Sequence, residues 1–148
     1  MTTIVYCHKT KQIACDSRVT AGCTIADDCA EKFKFHNDEM WFFAGAVPDF
    51  SLLMDVHEKK TKASNVDCWA IVASAGGVFS RGFDRERGRY MPYELLYSWA
   101  IGSGTDHALT AIDMGATAKE AVEIAMKRDC NSGGKIWVFD CVTMEFIE

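Results

Sequence analysis

A threonine at position 2 carries the first chemistry in this chain. Initiator methionine is removed when a small residue follows it, and removal of Met1 gives Thr2 a free α-amine beside its own hydroxyl. An α-amine titrates at about 7.7–8.0, so a useful fraction is neutral base at physiological pH. It can take the hydroxyl proton directly or through a water, making one residue both nucleophile and base for acyl transfer. The same Thr2-Thr3-Ile4-Val5 run also reads as plain strand sequence, rich in β-branched residues. Other residue sets are weaker. Cys7-His8 are neighbours in an extended run and point to opposite faces, which spoils them as a nucleophile–base pair. Gly102-Ser103-Gly104 lacks the lysine and spacing of a phosphate-binding loop. Arg81, Arg85, Arg87 and Arg89 are diluted by Asp84 and Glu86 and read as a solvated loop.

The chain that must position such a residue has 148 amino acids, the length of a single domain spanning 1–148. Hydrophobic residues make up 49% and charged residues 25%, which supports a packed core and argues against disorder. The formal net charge of −5 disfavours nucleic acid and anionic membrane as partners. No apolar run is long enough to span a bilayer, and no signal peptide is visible. The seven cysteines form no Cys-x-x-Cys pair and have no zinc-type histidine spacing. They read as buried free thiols of a cytoplasmic protein, with no metal site.

Strand propensity runs from Thr2 to Cys7, and after a polar turn from Ile13 to Asp16. Phe33 and Phe35 alternate with polar neighbours, and Met40–Ala44 forms a strand that stops at Gly45. Pro48 suits the first turn of a helix with Phe50, Leu53, Met54 and Val56 behind it. Two strands, 67–74 and 77–83, then a charged loop at 84–89 and a short strand at 99–101, lead to Gly102-Ser103-Gly104. A helix over 105–114 follows, then a second helix opened by the capping box Thr117-x-x-Glu120. The segments 135–140 and 144–147 close the chain as a hairpin. Blocks of strands and helices in this order predict an α+β architecture with antiparallel sheets.

Six short segments in this order narrow the reading: Thr2-Thr3-Ile4-Val5, Ala14-Cys15-Asp16-Ser17-Arg18-Val19-Thr20-Ala21-Gly22, Glu31-Lys32-Phe33, Phe43-Ala44-Gly45, Gly102-Ser103-Gly104, and Arg128-Asp129-Cys130-Asn131-Ser132-Gly133-Gly134. The series resembles the proteasome β-subunit family, including its bacterial HslV-type members, which are N-terminal nucleophile (Ntn) hydrolases. The likeness runs from Thr2 to about Asp140. It implies a four-layer α-β-β-α Ntn-hydrolase sandwich of two antiparallel sheets. One helical layer is reduced, because a single helix-length stretch separates Gly45 from Asp67 where the family has two long helices. Only Met1 precedes Thr2, which matches the HslV-type arrangement.

The resemblance also implies roles. Thr2 matches the nucleophile and Lys32 the lysine beside it, whose ammonium favours the Thr2 alkoxide and keeps the α-amine neutral. Asp16 matches the acid that pairs with that lysine. Gly45 matches the glycine whose backbone N–H forms the oxyanion hole. Ser103, Asp129 and Ser132 match a polar cluster that orients the terminal amine. Thr20 and Gly45 match backbone positions that hold an extended peptide as an added strand. Val19, Ala30, Lys34, Phe43 and Val47 match the lining of the pocket for the residue before the cut, with bulky Phe43 making it shallow. The implied activity is that of a threonine peptidase that needs no cofactor, acts on a protein or peptide substrate, and works as a homo-oligomeric ring fed by an ATP-dependent unfoldase. Two other readings are a stand-alone amidase using the same Thr2 chemistry and a non-catalytic assembly protein that keeps the fold.

Overall fold

Alternation along the first strand sets up the architecture. The computed structural model describes residues 2–62 and 65–148. Strand β1 (Thr3–Cys7) sends Ile4 and Tyr6 into one apolar cluster and Val5 and Cys7 into another, as a period of two requires. It lies between β2 (Gln12–Cys15) and β10 (Trp99–Gly102), both antiparallel to it. Beyond β2 come β11 (Trp137–Asp140) and β12 (Glu145–Phe146), which complete a five-stranded sheet in the order β10-β1-β2-β11-β12. A second sheet has five strands in simple meander order. Its strands are β5 (Phe33–His36), β6 (Glu39–Gly45), β7 (Cys68–Ser74), β8 (Gly77–Asp84) and β9 (Arg89–Glu94).

Three clusters hold these elements together. The largest joins the two sheets, with Ile4, Ile13 and Phe139 from the first meeting Phe42, Ile71 and Val78 from the second. Phe42 stands edge-on to Phe139 with ring centroids 5.6 Å apart. On the other face of the first sheet, Val5, Ala14 and Val138 pack against helices α2 (Thr105–Asp113) and α3 (Ala118–Arg128). Alanines at 118, 121 and 125 of α3 are fully buried and let it lie close to the strands. On the other face of the second sheet, Trp41, Phe43 and Val72 cover Leu53 and Met54 of helix α1 (Asp49–His57). Burial of each large apolar side chain contributes about 1.5–3 kcal/mol.

The ends of the helices follow local chemistry. Pro48, with φ −60°, precedes the first turn of α1. Thr117 and Glu120 form the expected capping box of α3, each side chain bonded to the other residue's backbone N–H at 3.2 Å. Between Gly45 and Cys68, α1 is the single helix among the described residues.

Two strand features were not anticipated. A small hairpin, β3 (Val19–Ala21) with β4 (Thr24–Asp27), projects after β2. β4 is exposed along its whole length, so no apolar alternation marks it. Strand β9 follows the charged loop and contains Pro92, which is tolerated because β9 is the edge of its sheet. The expectation of buried thiols needs correcting. All seven cysteines are free, but Cys23, Cys29 and Cys130 are exposed, since they sit on the β3–β4 hairpin and loops and not on core strands. No helix among the described residues is long and apolar enough to cross a membrane.

Candidate active site

Thr2 stands immediately before β1 and is only 3% exposed. Strand parity puts it on the same side as Ile4, facing the second sheet. Opposite it lie the start of β5, which brings Lys32, and the end of β6, which brings Gly45. Lys32 Nζ donates to Thr2 Oγ1 and, at 3.0 Å, to Asp16 Oδ1. The backbone N–H of Phe43 donates to the Lys32 carbonyl at 2.8 Å and ties that residue to β6.

Asp16 is completely buried, and its carboxylate is saturated with donors. Oδ1 also accepts from the Thr3 N–H at 3.0 Å, while Oδ2 accepts from the Gly133 N–H at 2.9 Å and the Arg18 N–H at 3.3 Å. One carboxylate therefore locks together the first strand, the segment after β2, the 129–134 loop and Lys32. Such an arrangement aims the ammonium at the Thr2 hydroxyl with little freedom.

A second polar cluster lies on the helix side of β1. Asp129 ends α3, and its Oδ2 accepts from Ser103 at 2.5 Å and Ser132 at 2.6 Å. Its Oδ1 accepts from the Asn131 N–H at 3.1 Å. Burial alone would raise the Asp129 carboxyl; the hydrogen bonds from Ser103, Ser132 and Asn131, with the charge of His107, outweigh it and hold the group below its ordinary value. Ser103 also lies 3.4 Å from the Thr2 carbonyl. Thr3 Oγ1 is 2.6 Å from Ser132 Oγ, extending the cluster by a residue that sequence reading did not single out. A hydroxyl in a β-branched strand residue carries no local signal of such a role.

Close approach excludes a side chain at Gly45 and at Gly102. Gly45 has φ +127°, and a Cβ there would meet the Asp67 carbonyl oxygen at 2.4 Å. Gly102 has φ +99°, and its Cβ would lie 2.0 Å from the Thr2 carbonyl oxygen.

Two cavities flank Thr2 and share with each other only Thr2 and Gly45. One, of about 270 Å³, is lined by Arg18, Val19, Thr20, Lys32, Val47 and Phe50 among others. Val19, Thr20 and Val47 are thus brought to the threonine. Ala30, Lys34 and Phe43 do not line this cavity. Phe43 is buried in the core under α1, stacked on Trp41 at 5.8 Å and on Phe50 at 4.8 Å, and it is Phe50 that faces the cavity. Ala30 instead donates its N–H to the Ser17 carbonyl at 3.1 Å, and Lys34 is exposed on β5. The other cavity, of about 510 Å³, is walled by Trp69, Tyr93, Trp99 and Ile101, with Ser103 at its polar end.

Nearby thiols are poor candidates for a nucleophile. Burial pushes the Cys15 thiol far above its ordinary value, and the neighbouring Asp16 charge adds to the effect. Burial does the same to Cys68, helped by the Asp49 and Asp67 charges. Removal of Met1, on which a free Thr2 amine depends, lies outside the described residues. Among those residues no three His, Cys, Asp or Glu side chains gather as a metal-ligand group.

No protein-family model and no curated relative matches the chain. Solved structures do. HslV from Trypanosoma brucei matches with a TM-score of 0.71 at 24% identity, over 93% of this chain and 97% of that one. A Thiobacillus denitrificans protein designated BPH matches with a TM-score of 0.74 at 18% identity, over 93% of this chain and 96% of that one. The chain thus has a mixed α/β fold with antiparallel sheets, similar to that of HslV.

Proposed function

We propose that this chain is an HslV-type threonine peptidase with the four-layer α-β-β-α arrangement of the Ntn hydrolases. The observation that carries the reading is the buried chain from Asp16 through Lys32 to the Thr2 hydroxyl, set between two cavities beside Gly45. With Met1 removed, the Thr2 α-amine takes the hydroxyl proton, and the oxygen attacks the carbonyl carbon of a peptide bond. Lys32 stabilises the developing alkoxide. The Gly45 N–H receives the oxyanion. The C–N bond breaks, the proton passes to the leaving amine, and an acyl ester on Thr2 remains for water to hydrolyse. Asp16 acts as a positioning residue for Lys32. Ser103, Asp129 and Ser132 orient the terminal amine, and Val19, Thr20 and Val47 receive the residue before the cut.

The same reading places the protein in the cytoplasm, acting on proteins or peptides as a homo-oligomer fed by an ATP-dependent unfoldase. The test is intact mass spectrometry after treatment with a threonine-directed epoxyketone or β-lactone. It should report loss of Met1 and a single adduct on Thr2. Thr2→Ala should abolish both adduct and peptide cleavage, and Lys32→Ala should remove nearly all turnover. Wild-type turnover by Thr2→Ala would overturn the mechanism. Native mass would separate an oligomeric chamber from a stand-alone amidase.

A further inference from the structure

The larger cavity beside Thr2 has a composition that the reaction so far leaves unused. Its walls are aromatic and aliphatic: Trp69 from β7, Tyr93 from β9, Trp99 and Ile101 from β10, each projecting from a strand and not from a loop. Trp69 lies flat across its cross-strand partner Gly82, where an added Cβ would fall 2.0 Å from the indole ring. Absence of a side chain at Gly82 therefore leaves room for that wall. Trp99 is braced edge-on by Tyr97, with ring centroids 6.1 Å apart. The result is a preformed slot of about 510 Å³, large enough for an aromatic side chain.

We infer that this slot receives the side chain that follows the scissile bond, and that it selects a large apolar or aromatic residue there. The inference rests on the peptidase reading and names the specificity of its leaving-group side. Two observations orient it. The cavity on the other flank of Thr2 contains Lys32 with Val19, Thr20 and Val47, and so takes the acyl side. The aromatic slot instead contains the Ser103 hydroxyl, which is bonded to Asp129. The leaving amine must gain a proton as the C–N bond breaks, and Ser103, 3.4 Å from the Thr2 carbonyl, keeps this slot against the residue whose α-amine returns that proton. Among the described residues no Lys, Arg or His lines the slot, and its Asp67 is ion-paired with Arg85 at 3.6 Å, so an acidic side chain there gains no cation from the lining and is disfavoured. The expected order after the cut is Phe above Leu, Leu above Ala, and Ala above Asp.

Internally quenched peptides that differ only in the residue after the cut test the order, alongside the methyl ester of the same acyl segment, whose leaving group is too small to fill the slot. The kcat/KM ratio of Phe to Ala should be on the order of 10–100 in the wild type, the scale set by filling an apolar pocket. Tyr93→Ala and Trp99→Leu should each lower that ratio severalfold or more. Because the ratio is internal to each variant, partial loss of folded protein does not affect it. If the methyl ester is hydrolysed but the ratio is near 1, the slot assignment is wrong and the peptidase reading stands. A ratio unchanged in both variants is equally fatal to the assignment. If neither ester nor peptides react and no β-lactone adduct forms on Thr2, both readings fall together.

Discussion

Replacing Asp16 by asparagine keeps the shape of a side chain at the centre of the site and removes its charge. The wild-type carboxylate is fully buried and accepts from Lys32, from the Thr3 and Gly133 N–H groups and from the Arg18 N–H. A carboxamide offers one accepting oxygen and turns an NH2 toward the other donors. Lys32, only 4% exposed, then loses the carboxylate that it bonds at 3.0 Å. Breaking one side of a buried ion pair costs about 3–5 kcal/mol. For a domain of this size each kcal/mol moves Tm by about 2–4 °C, so the midpoint should fall by roughly 6–20 °C. Urea titrations followed by tryptophan fluorescence measure the loss, and β-lactone labelling of Thr2 measures the functional effect in parallel. Labelling should fall by at least tenfold even where the variant remains folded, because the ammonium is no longer aimed. The double variant Asp16→Asn/Lys32→Met should recover part of the stability, since the buried ammonium leaves together with the carboxylate, and none of the reactivity. Asp16→Asn within about 1 kcal/mol of wild type, with normal labelling, would refute the account of the site as a buried charge-paired lock.

If Gly45 supplies the proposed oxyanion donor, Gly45→Ala should lower kcat by roughly 10²–10³-fold, because its Cβ would collide with the Asp67 carbonyl oxygen and twist the N–H away; steady-state kinetics on a peptide substrate checks it. The depressed Asp129 carboxyl contributes stability that is complete above its ordinary value of 3.8 and is lost as pH falls below it through the folded value. Urea midpoints of wild type against Asp129→Asn should therefore converge as the pH drops below that value, and a difference that widens on acidification would contradict the hydrogen-bond assignment. A neutral-pH thiol reagent should label Cys23, Cys29 and Cys130 rapidly in the native protein and reach Cys7, Cys15 and Cys68 only after denaturation, as read by peptide mass mapping. Cys141, whose thiol is pushed up to about 12 mainly by burial, should react slowly.

Much of the fold was legible because local rules and burial agree. β1, β2, β6 and β7 carry enough apolar or β-branched residues to declare themselves, and the Thr117–Glu120 box marks the start of α3 without help from packing. β3–β4 and β9 were missed for opposite reasons. The exposed β4 buries nothing, so it has no pattern, and β9 carries a proline that only an edge position excuses. Phe43 illustrates a further limit. Its place in the sequence fits a pocket wall, but alternation in β6 turns it under α1, and Phe50 from the helix takes the exposed place.

By itself the sequence determined the residue types of the candidate site and their order along the chain: a threonine at position 2, an acid, a lysine, a glycine, and a Ser–Asp–Ser set near the end. Strand period and helix caps are local, so the elements carrying them were determined too. Tertiary structure alone decided which groups meet. Asp16 reaches the Gly133 N–H across 117 residues, and Trp69, Tyr93 and Trp99 converge from three strands of two sheets into one slot. Those contacts depend on sheet order and on the closure of one sheet over the other, which are set by burial summed over the whole chain and leave no mark at any single position.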